Sequence, residues 1–155
     1  MPTITAILHT RNDERRLGRA LESLRPCDEH LIVDHGSTDG TLQVARQYGA
    51  AIRRESDGSF LEAVAGDWVL CLLPGEALSE ELEGRLYEWK QEAPGTAAAY
   101  ALRVREETPA GWRFHSPETR LVRRGALHWT SELPPRMDGA SLFPGDLLRP
   151  MRAGQ

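Results

Sequence analysis

Along the first ninety residues, apolar positions switch between a strand-like and a helix-like spacing. Ile4 to Leu8 is a short, β-branched apolar run bounded by polar residues, which predicts a buried strand. Asn12, Asp13 and Glu14 follow, residues that cap free N–H groups and suit the positive end of a helix dipole. Leu17, Ala20, Leu21 and Leu24 then recur at helical spacing until Pro26 stops the helix. Leu31-Ile32-Val33 predicts a second strand that ends at Asp34. The loop His35 to Gly40 leads into a helix through Leu42, Ala45 and Tyr48, with Gly49 as its C′ residue. Ala50-Ala51-Ile52 reads as a third strand, and Phe60 to Ala65 has room for only a turn or two of helix. Trp68 to Leu73 is continuously apolar, as a central parallel strand covered on both faces must be. Ser79 caps a helix carrying Leu82, Leu86 and Trp89, with Glu80 and Glu81 in its first turn and Pro94 beyond it. Strand and helix in this order imply a parallel sheet with right-handed crossovers.

The pattern changes after residue 95. Ala97 to Val104 and Arg120 to Arg124 read as strands joined by a long polar stretch containing Pro109, Gly111 and Pro117. From Pro134 onward the prolines and scattered apolar residues predict an irregular segment. The division expected is one domain over residues 1–133 and an irregular C-terminal tail over 134–155. No internal repeat or low-complexity segment interrupts it.

Composition narrows the function classes. At 155 residues, 40% hydrophobic and 27% charged, the chain fits one ordinary globular domain. Nineteen Lys and Arg against 23 Asp and Glu give a net charge of −4, which argues against a nucleic-acid binder. No apolar run approaches the roughly 18 to 20 residues that cross a bilayer. Met1 to Thr5 lacks the basic and apolar regions of a signal peptide. Cys27 and Cys71, far apart in sequence, make no metal-site spacing and suit a reduced, cytoplasmic setting.

In an open α/β sheet, ligands bind outside the carboxyl ends of the strands. Three segments stand at such ends: His9 to Glu14 after the first strand, Asp34 to Thr41 after the second, and Pro74-Gly75-Glu76 after the fourth. A carboxylate at Asp34 can accept hydrogen bonds from a base or ribose, with Gly36 and Gly40 allowing close backbone approach. Asp34 and Ser37 can equally serve as caps of the next helix. The residues alone leave both roles open.

Four segments together carry a family resemblance. Ile4-Thr5-Ala6-Ile7-Leu8-His9-Thr10-Arg11-Asn12-Asp13-Glu14 resembles the strand and "T-x-N-E" loop that open family 2 glycosyltransferases. Asp28 to Thr41 is similar, nearly residue for residue, to their "DEIVVVDxGSTDGT" segment. Gly66-Asp67-Trp68-Val69-Leu70 resembles their "GDWVL" strand. Arg120 to Gly125 resembles the "RLFRRG" strand of the subgroup that includes lipopolysaccharide-core glucosyltransferases. The resemblance implies an α/β, GT-A-like (Rossmann-like) three-layer domain with a mainly parallel mixed sheet. It implies transfer of a sugar from a nucleotide-sugar donor, UDP-type, to an acceptor hydroxyl with inversion. The acceptor class it suggests is a saccharide or a lipid-linked glycan, and a homodimer stays open as the assembly. By the same resemblance Thr10, Asn12 and Glu14 line the nucleotide pocket, Asp34 meets the base, and Gly36, Ser37 and Asp39 hold the nucleoside. One carboxylate would deprotonate the acceptor, and a Mg²⁺ or Mn²⁺ ion would neutralise the diphosphate.

The chain departs from the family where that ion belongs. The family's "LDADE" reads Leu72-Leu73-Pro74-Gly75-Glu76, so Leu73 and Gly75 replace both aspartates. Leucine offers no oxygen to a hard cation. Glu76 alone remains as a metal candidate, or is a solvated residue before a helix. The segment between Glu55 and Gly66 is short and lacks the family's basic residue and asparagine. The "HE" pair reads Ser131-Glu132. Glu132 and Glu118 are the candidate bases, each with an exposed loop carboxylate as the alternative. His9 and His35 flank the expected pocket. Arg123-Arg124 is either a phosphate-facing pair or an exposed strand end, and Trp112 or Trp129 could stack on a sugar instead of packing. Two functions therefore compete: an inverting glycosyltransferase with a metal-independent or rebuilt phosphate site, and a silent relative that binds a nucleotide or a protein partner. A four-stranded parallel core with Asp34 and Glu76 near one edge is expected under either.

Overall fold

The computed structural model describes residues 1–54, 59–92 and 95–151. Nine strands form one mixed sheet among them. Strands β1 (Ile4–Thr10), β2 (Glu29–Asp34), β3 (Ala51–Arg54) and β4 (Trp68–Leu72) pair in parallel in the order β3-β2-β1-β4. That is the four-stranded parallel core the sequence predicts. Helices α1 (Glu14–Glu22) and α2 (Thr41–Gln47) make the crossovers between β1, β2 and β3. Helix α3 (Glu80–Gln91) starts where Ser79 accepts a hydrogen bond from the Leu82 N–H on its hydroxyl oxygen, the cap expected from sequence.

Beyond β4 the sheet continues as β8 (Glu118–Arg123), β6 (Ala99–Thr108), β9 (Ser141–Arg149) and the two-residue β5 (Ala77–Leu78), with β7 (Gly111–Phe114) hairpinned onto β6. Two sequence expectations change here. The polar stretch before Arg120 holds the β6–β7 hairpin. The tail expected to be irregular contributes β9, which pairs in parallel with β6 and antiparallel with β5. Pro144 and Gly145 hide this strand from pattern reading. The register jumps from Ala101↔Leu142 to Arg103↔Asp146, so Phe143, Pro144 and Gly145 bulge opposite Leu102. Gly145 has φ +105° and lies so close to α3 that a Cβ would stand 2.8 Å from the Leu82 Cα. Only glycine fits both constraints.

Apolar residues alternate across the sheet and build a core on each face. Ala6, Leu8, Ile32, Leu70 and Leu72 meet Leu17, Ala20 and Leu21 of α1, Ala45 of α2, and Leu82 and Leu86 of α3. The opposite face, with Ile7, Leu31, Val33, Val69 and Cys71, is covered by Phe60 and Val64, by Trp129, and by partly buried Leu127, Leu133 and Met137. That second cover is a 3-10 turn (Ser59–Ala63) and irregular chain, where the three-layer expectation would place helices. Each fully buried leucine here contributes about 1.5 to 3 kcal/mol.

Candidate functional site

The strand order reverses between β1 and β4. Chain leaving β1 turns toward β2 and β3, while β4 lies on the other side of β1. At such a switch point the loops after the two strands diverge and leave a crevice. A cleft of about 300 Å³ lies there, lined by His9, Arg11, Asp13 and Arg16 after β1 and by Leu73 to Glu76 after β4, with Glu132 and Arg149 closing it. A larger cleft, about 900 Å³, is lined by Trp68, Trp89, Tyr100 and Arg123 at the opposite end of the strands.

Beside the smaller cleft, the loop after β1 and the loop after β2 are cross-linked. Thr10 Oγ1 donates to Asp34 Oδ1 at 2.9 Å, and Ser37 Oγ donates to the same oxygen at 2.6 Å. Asp34 Oδ2 accepts the backbone N–H groups of Gly36 (3.1 Å) and Ser37 (2.9 Å). A carboxylate has about four acceptor positions, so all of those on Asp34 are filled. Burial pushes this carboxyl up, but the bonds from Ser37, Thr10 and Gly36 outweigh it and hold the group below its ordinary value. Gly36 sits at φ +93°, which this tight turn requires. Direct acceptance from a nucleobase would require Asp34 to release one of these donors; as folded, it fixes the loop.

Asn12 has φ 55°, a left-handed conformation that asparagine tolerates better than most residues. It presents its N–H to Ser37 Oγ (3.0 Å) and its Oδ1 to the Thr38 N–H (2.8 Å). Asp39 accepts from the Glu14 N–H at 3.3 Å and from the Thr41 N–H at 3.0 Å, besides the Thr41 hydroxyl. The Glu14 carboxylate folds against Gly40. Thr10, Asn12, Glu14, Asp34, Gly36, Ser37 and Asp39 thus share one rim. His9 and His35 join it, Nδ1 to Nε2 at 2.8 Å, with Phe60 edge-on beneath His9 at 4.5 Å.

Glu76 has a different role from the one its position suggested. It is 1% exposed, and Arg120, 0% exposed, grips it with bonds of 2.6 and 2.9 Å. Its Oε1 also accepts the Leu73 N–H at 2.8 Å, and its Oε2 accepts Arg149 Nη2 at 2.8 Å. Burial alone would raise this carboxyl, yet the Arg120 bonds and charge, the Leu73 N–H and Arg149 hold it below the ordinary glutamate value. The residues present do not fit a divalent cation. Leu73, Pro74 and Gly75 supply no side-chain oxygen, and both Glu76 oxygens are held by guanidinium groups that would repel a cation. The solvated-residue reading of Glu76 is also replaced, because the side chain is a buried ion pair.

Of the two candidate bases, Glu132 is exposed and lines the cleft, while Glu118 is half-buried with one oxygen 3.1 Å from Arg120 Nη2. Arg123 donates to the Gly95 and Ala97 carbonyls and covers the Trp68 ring, and Arg124 donates to the Val64 carbonyl. Both lie at the amino end of β4, away from the rim. Trp129 is buried in the core, whereas Trp112 is exposed under Arg105. Part of the segment between Glu55 and Gly66, read as short, lies outside the described residues.

The sequence marks Arg11 and Asp13 only as part of the segment after β1 and assigns no site role to Arg16, Arg120 or Arg149. Arg120 had a signal of its own: a charged residue inside an apolar strand needs a partner. The others converge only through the tertiary fold.

No family model matches the chain. Among curated proteins it is 34% identical over 94 residues to an uncharacterised glycosyltransferase of Rickettsia typhi, covering 56% of this chain and 32% of that protein. It is 44% identical over 45 residues to the lipopolysaccharide core biosynthesis glycosyltransferase LpsC of Rhizobium meliloti, 29% of this chain and 17% of that one. The match thus spans about a third or less of these relatives' length. Among solved structures, Staphylococcus aureus TarS 1–349 in complex with UDP superposes with a TM-score of 0.56 at 20% identity, covering 70% of this chain and 37% of that one. Glucosyl-3-phosphoglycerate synthase from Mycobacterium tuberculosis, in complex with Mn²⁺, UDP and glucosyl-3-phosphoglycerate, superposes at 0.52 and 21% identity over 67% and 44%. The chain is thus similar in sequence to proteins named as glycosyltransferases, and it shares the GT-A fold of these solved structures.

Proposed function

We propose that this chain carries the donor-binding part of an inverting glycosyltransferase that moves a sugar from a UDP-type nucleotide to an acceptor hydroxyl. The observation that supports it best is the cross-linked rim of Thr10, Asn12, Asp34 and Ser37 beside a cleft at the strand-order switch point. Relatives named as glycosyltransferases and UDP-bound structural neighbours support the same reading. In it, the rim holds the nucleoside: Asn12, Glu14, Gly36, Ser37 and Asp39 surround it, while Thr10 and Asp34 keep the two loops in register. The anomeric carbon then lies toward the cleft. Glu132, on the cleft wall, takes the proton from the acceptor hydroxyl as its oxygen attacks. The bond from the anomeric carbon to the diphosphate breaks on the opposite side, and the nucleoside diphosphate leaves with the electron pair. Glu118, steadied by Arg120, is the second candidate for that base.

The acceptor class proposed is a saccharide or lipid-linked glycan, and the setting cytoplasmic. Both cysteines are free thiols, and burial pushes that of Cys71 up to about 12, which makes it inert. No helix of the described residues is long and apolar enough to cross a membrane.

Titration with UDP, with ADP as control, followed by an assay of UDP release from UDP-sugars with saccharide acceptors, tests this reading. UDP binding with acceptor-dependent release supports it. Binding without release favours the silent relative, a reading that the lost aspartates support. No nucleotide binding at all contradicts it.

A further inference from the structure

The space where the family's second aspartate would stand is filled by an arginine. A Cβ on Gly75 would lie 3.1 Å from Arg16 Nη1, 3.5 Å from its Cδ and 3.7 Å from its Cζ. Arg16 is locked there by Asp13, which is 5% exposed and accepts its Nε at 2.8 Å and its Nη2 at 2.7 Å. Asp13 is itself fixed by the Arg11 N–H at 2.8 Å and by its own N–H donating to Thr41 Oγ1. Nη1 is the part of this guanidinium that the carboxylate does not occupy, and it faces Gly75.

Arg149 enters the same cleft from β9. Its Nη2 and Nε both reach Glu76 Oε2, at 2.8 and 3.3 Å, and its side chain stays 28% exposed. Arg149 and fully buried Arg120 share Glu76 and Glu118 between them, with Glu118 Oε2 3.1 Å from Arg120 Nη2 and 4.0 Å from Arg149 Nη2. Arg11 is exposed at the rim. The cleft's remaining carboxylate, Glu132, is exposed on its outer wall. Asp13 and Glu76 engage the Nε and Nη2 atoms of Arg16 and Arg149, which leaves the Nη1 end of each, together with the exposed Arg11 guanidinium, to donate to phosphate oxygens.

We propose that Arg16, Arg149 and Arg11 take the place of the divalent cation, so that this chain binds the donor's diphosphate without metal. The proposal rests on the nucleotide-binding reading above and adds how the charge of the diphosphate is met. Fixed cations in a partly enclosed cleft also stabilise charge that develops on the leaving diphosphate. Replacing Asp by Gly at 75 then makes room for Arg16 instead of merely losing a ligand.

Calorimetry of the whole chain with UDP, uridine and inorganic pyrophosphate, each in EDTA and in Mn²⁺, tests it. UDP affinity in EDTA is expected within about twofold of that in Mn²⁺, with uridine at least about tenfold weaker than UDP. Arg16→Gln and Arg11→Gln should each weaken UDP by about five- to tenfold and leave uridine unchanged, with Arg16→Lys recovering part of the loss. Loss of UDP affinity of about tenfold or more in EDTA overturns the proposal, as does unchanged UDP affinity in both glutamine variants. Circular dichroism identifies a variant that fails to fold, and Arg11→Gln, at an exposed position, then decides. If UDP and uridine both fail to bind, the nucleotide reading falls. Pyrophosphate binding that persists in EDTA and weakens in Arg11→Gln then still upholds the arginine site, and its absence overturns both.

Discussion

Arg120 and Glu76 face each other through two parallel hydrogen bonds of 2.6 and 2.9 Å in the interior of the fold. The pair ties the end of β4 to β8. Arg149 and the Leu73 N–H bind the same carboxylate, so the loop at the carboxyl end of β4 is pinned from three sides. What reads in sequence as a leftover metal ligand is the anchor that shapes the cleft floor.

Removing one partner should be costly, because the other charge is left buried without a counterion. Arg120→Ala is expected to lose about 3 to 5 kcal/mol in urea unfolding, and Glu76→Ala a similar amount. Arg120→Met combined with Glu76→Gln should lose less than the sum of the single changes, since no buried ion remains from the pair. Additive losses would contradict the pairing.

The same carboxylate sets an acid limit on stability. Its folded-state value is depressed, so its contribution is fully present above the unfolded glutamate value of about 4.3. It is lost as pH falls through the lower folded-state value. Unfolding free energy should therefore drop on acidification below about pH 4.5, and Glu76→Gln should flatten that part of the curve. Thermal melts between neutral pH and pH 3 read the slope, and an unchanged slope in the variant counts against it.

The two rim loops should stand or fall together. Asn12→Ala removes the bond to Thr38 and puts alanine at φ 55°, with an expected cost of about 1 to 3 kcal/mol. Asn12→Gly keeps the backbone at ease and should recover part of it. Asp34→Ala frees four donors and should weaken UDP by about tenfold through loop disorder. Hydrogen exchange of the Gly36 and Ser37 amides, which donate to Asp34, distinguishes this from loss of a direct base contact: unchanged protection in Asp34→Ala would contradict the positioning role.

How much of this was legible in the sequence depends on range. β1, β2, β4 and the helices carry clean local periods, and the motif from Asp28 to Thr41 pointed to the rim. β9 was not legible, because its strand character resides in pairing with β6 while Pro144 and Gly145 look like a turn. The arginine-lined cleft was illegible for a related reason. Arg16 reads as one more polar position on α1, Arg149 as part of a tail, and only the sheet order brings both to Gly75. Asp34 was seen as a carboxylate at a strand end, and the sequence could not tell that its own loop would fill every acceptor position.

Restoring the family's second aspartate should now harm the site. Gly75→Asp places a carboxylate beside Arg16 Nη1, the part of that guanidinium that Asp13 does not occupy, where it competes with phosphate oxygens. UDP affinity is expected to fall by about tenfold, and Mn²⁺ should not restore it while Leu73 supplies no oxygen. Recovery of tight, Mn²⁺-dependent binding in that single variant would contradict the arginine account.

The nucleotide proposed above occupies the switch point between β1 and β4, and amide NMR of the labelled protein titrated with UDP locates it. Shifts are expected only at Arg11 to Glu14, Gly36 to Asp39 and Gly75-Glu76, with Asp67, Trp89 and Lys90 at the opposite cleft unchanged. Shifts that cluster at that opposite cleft, or none at saturating UDP, would contradict it.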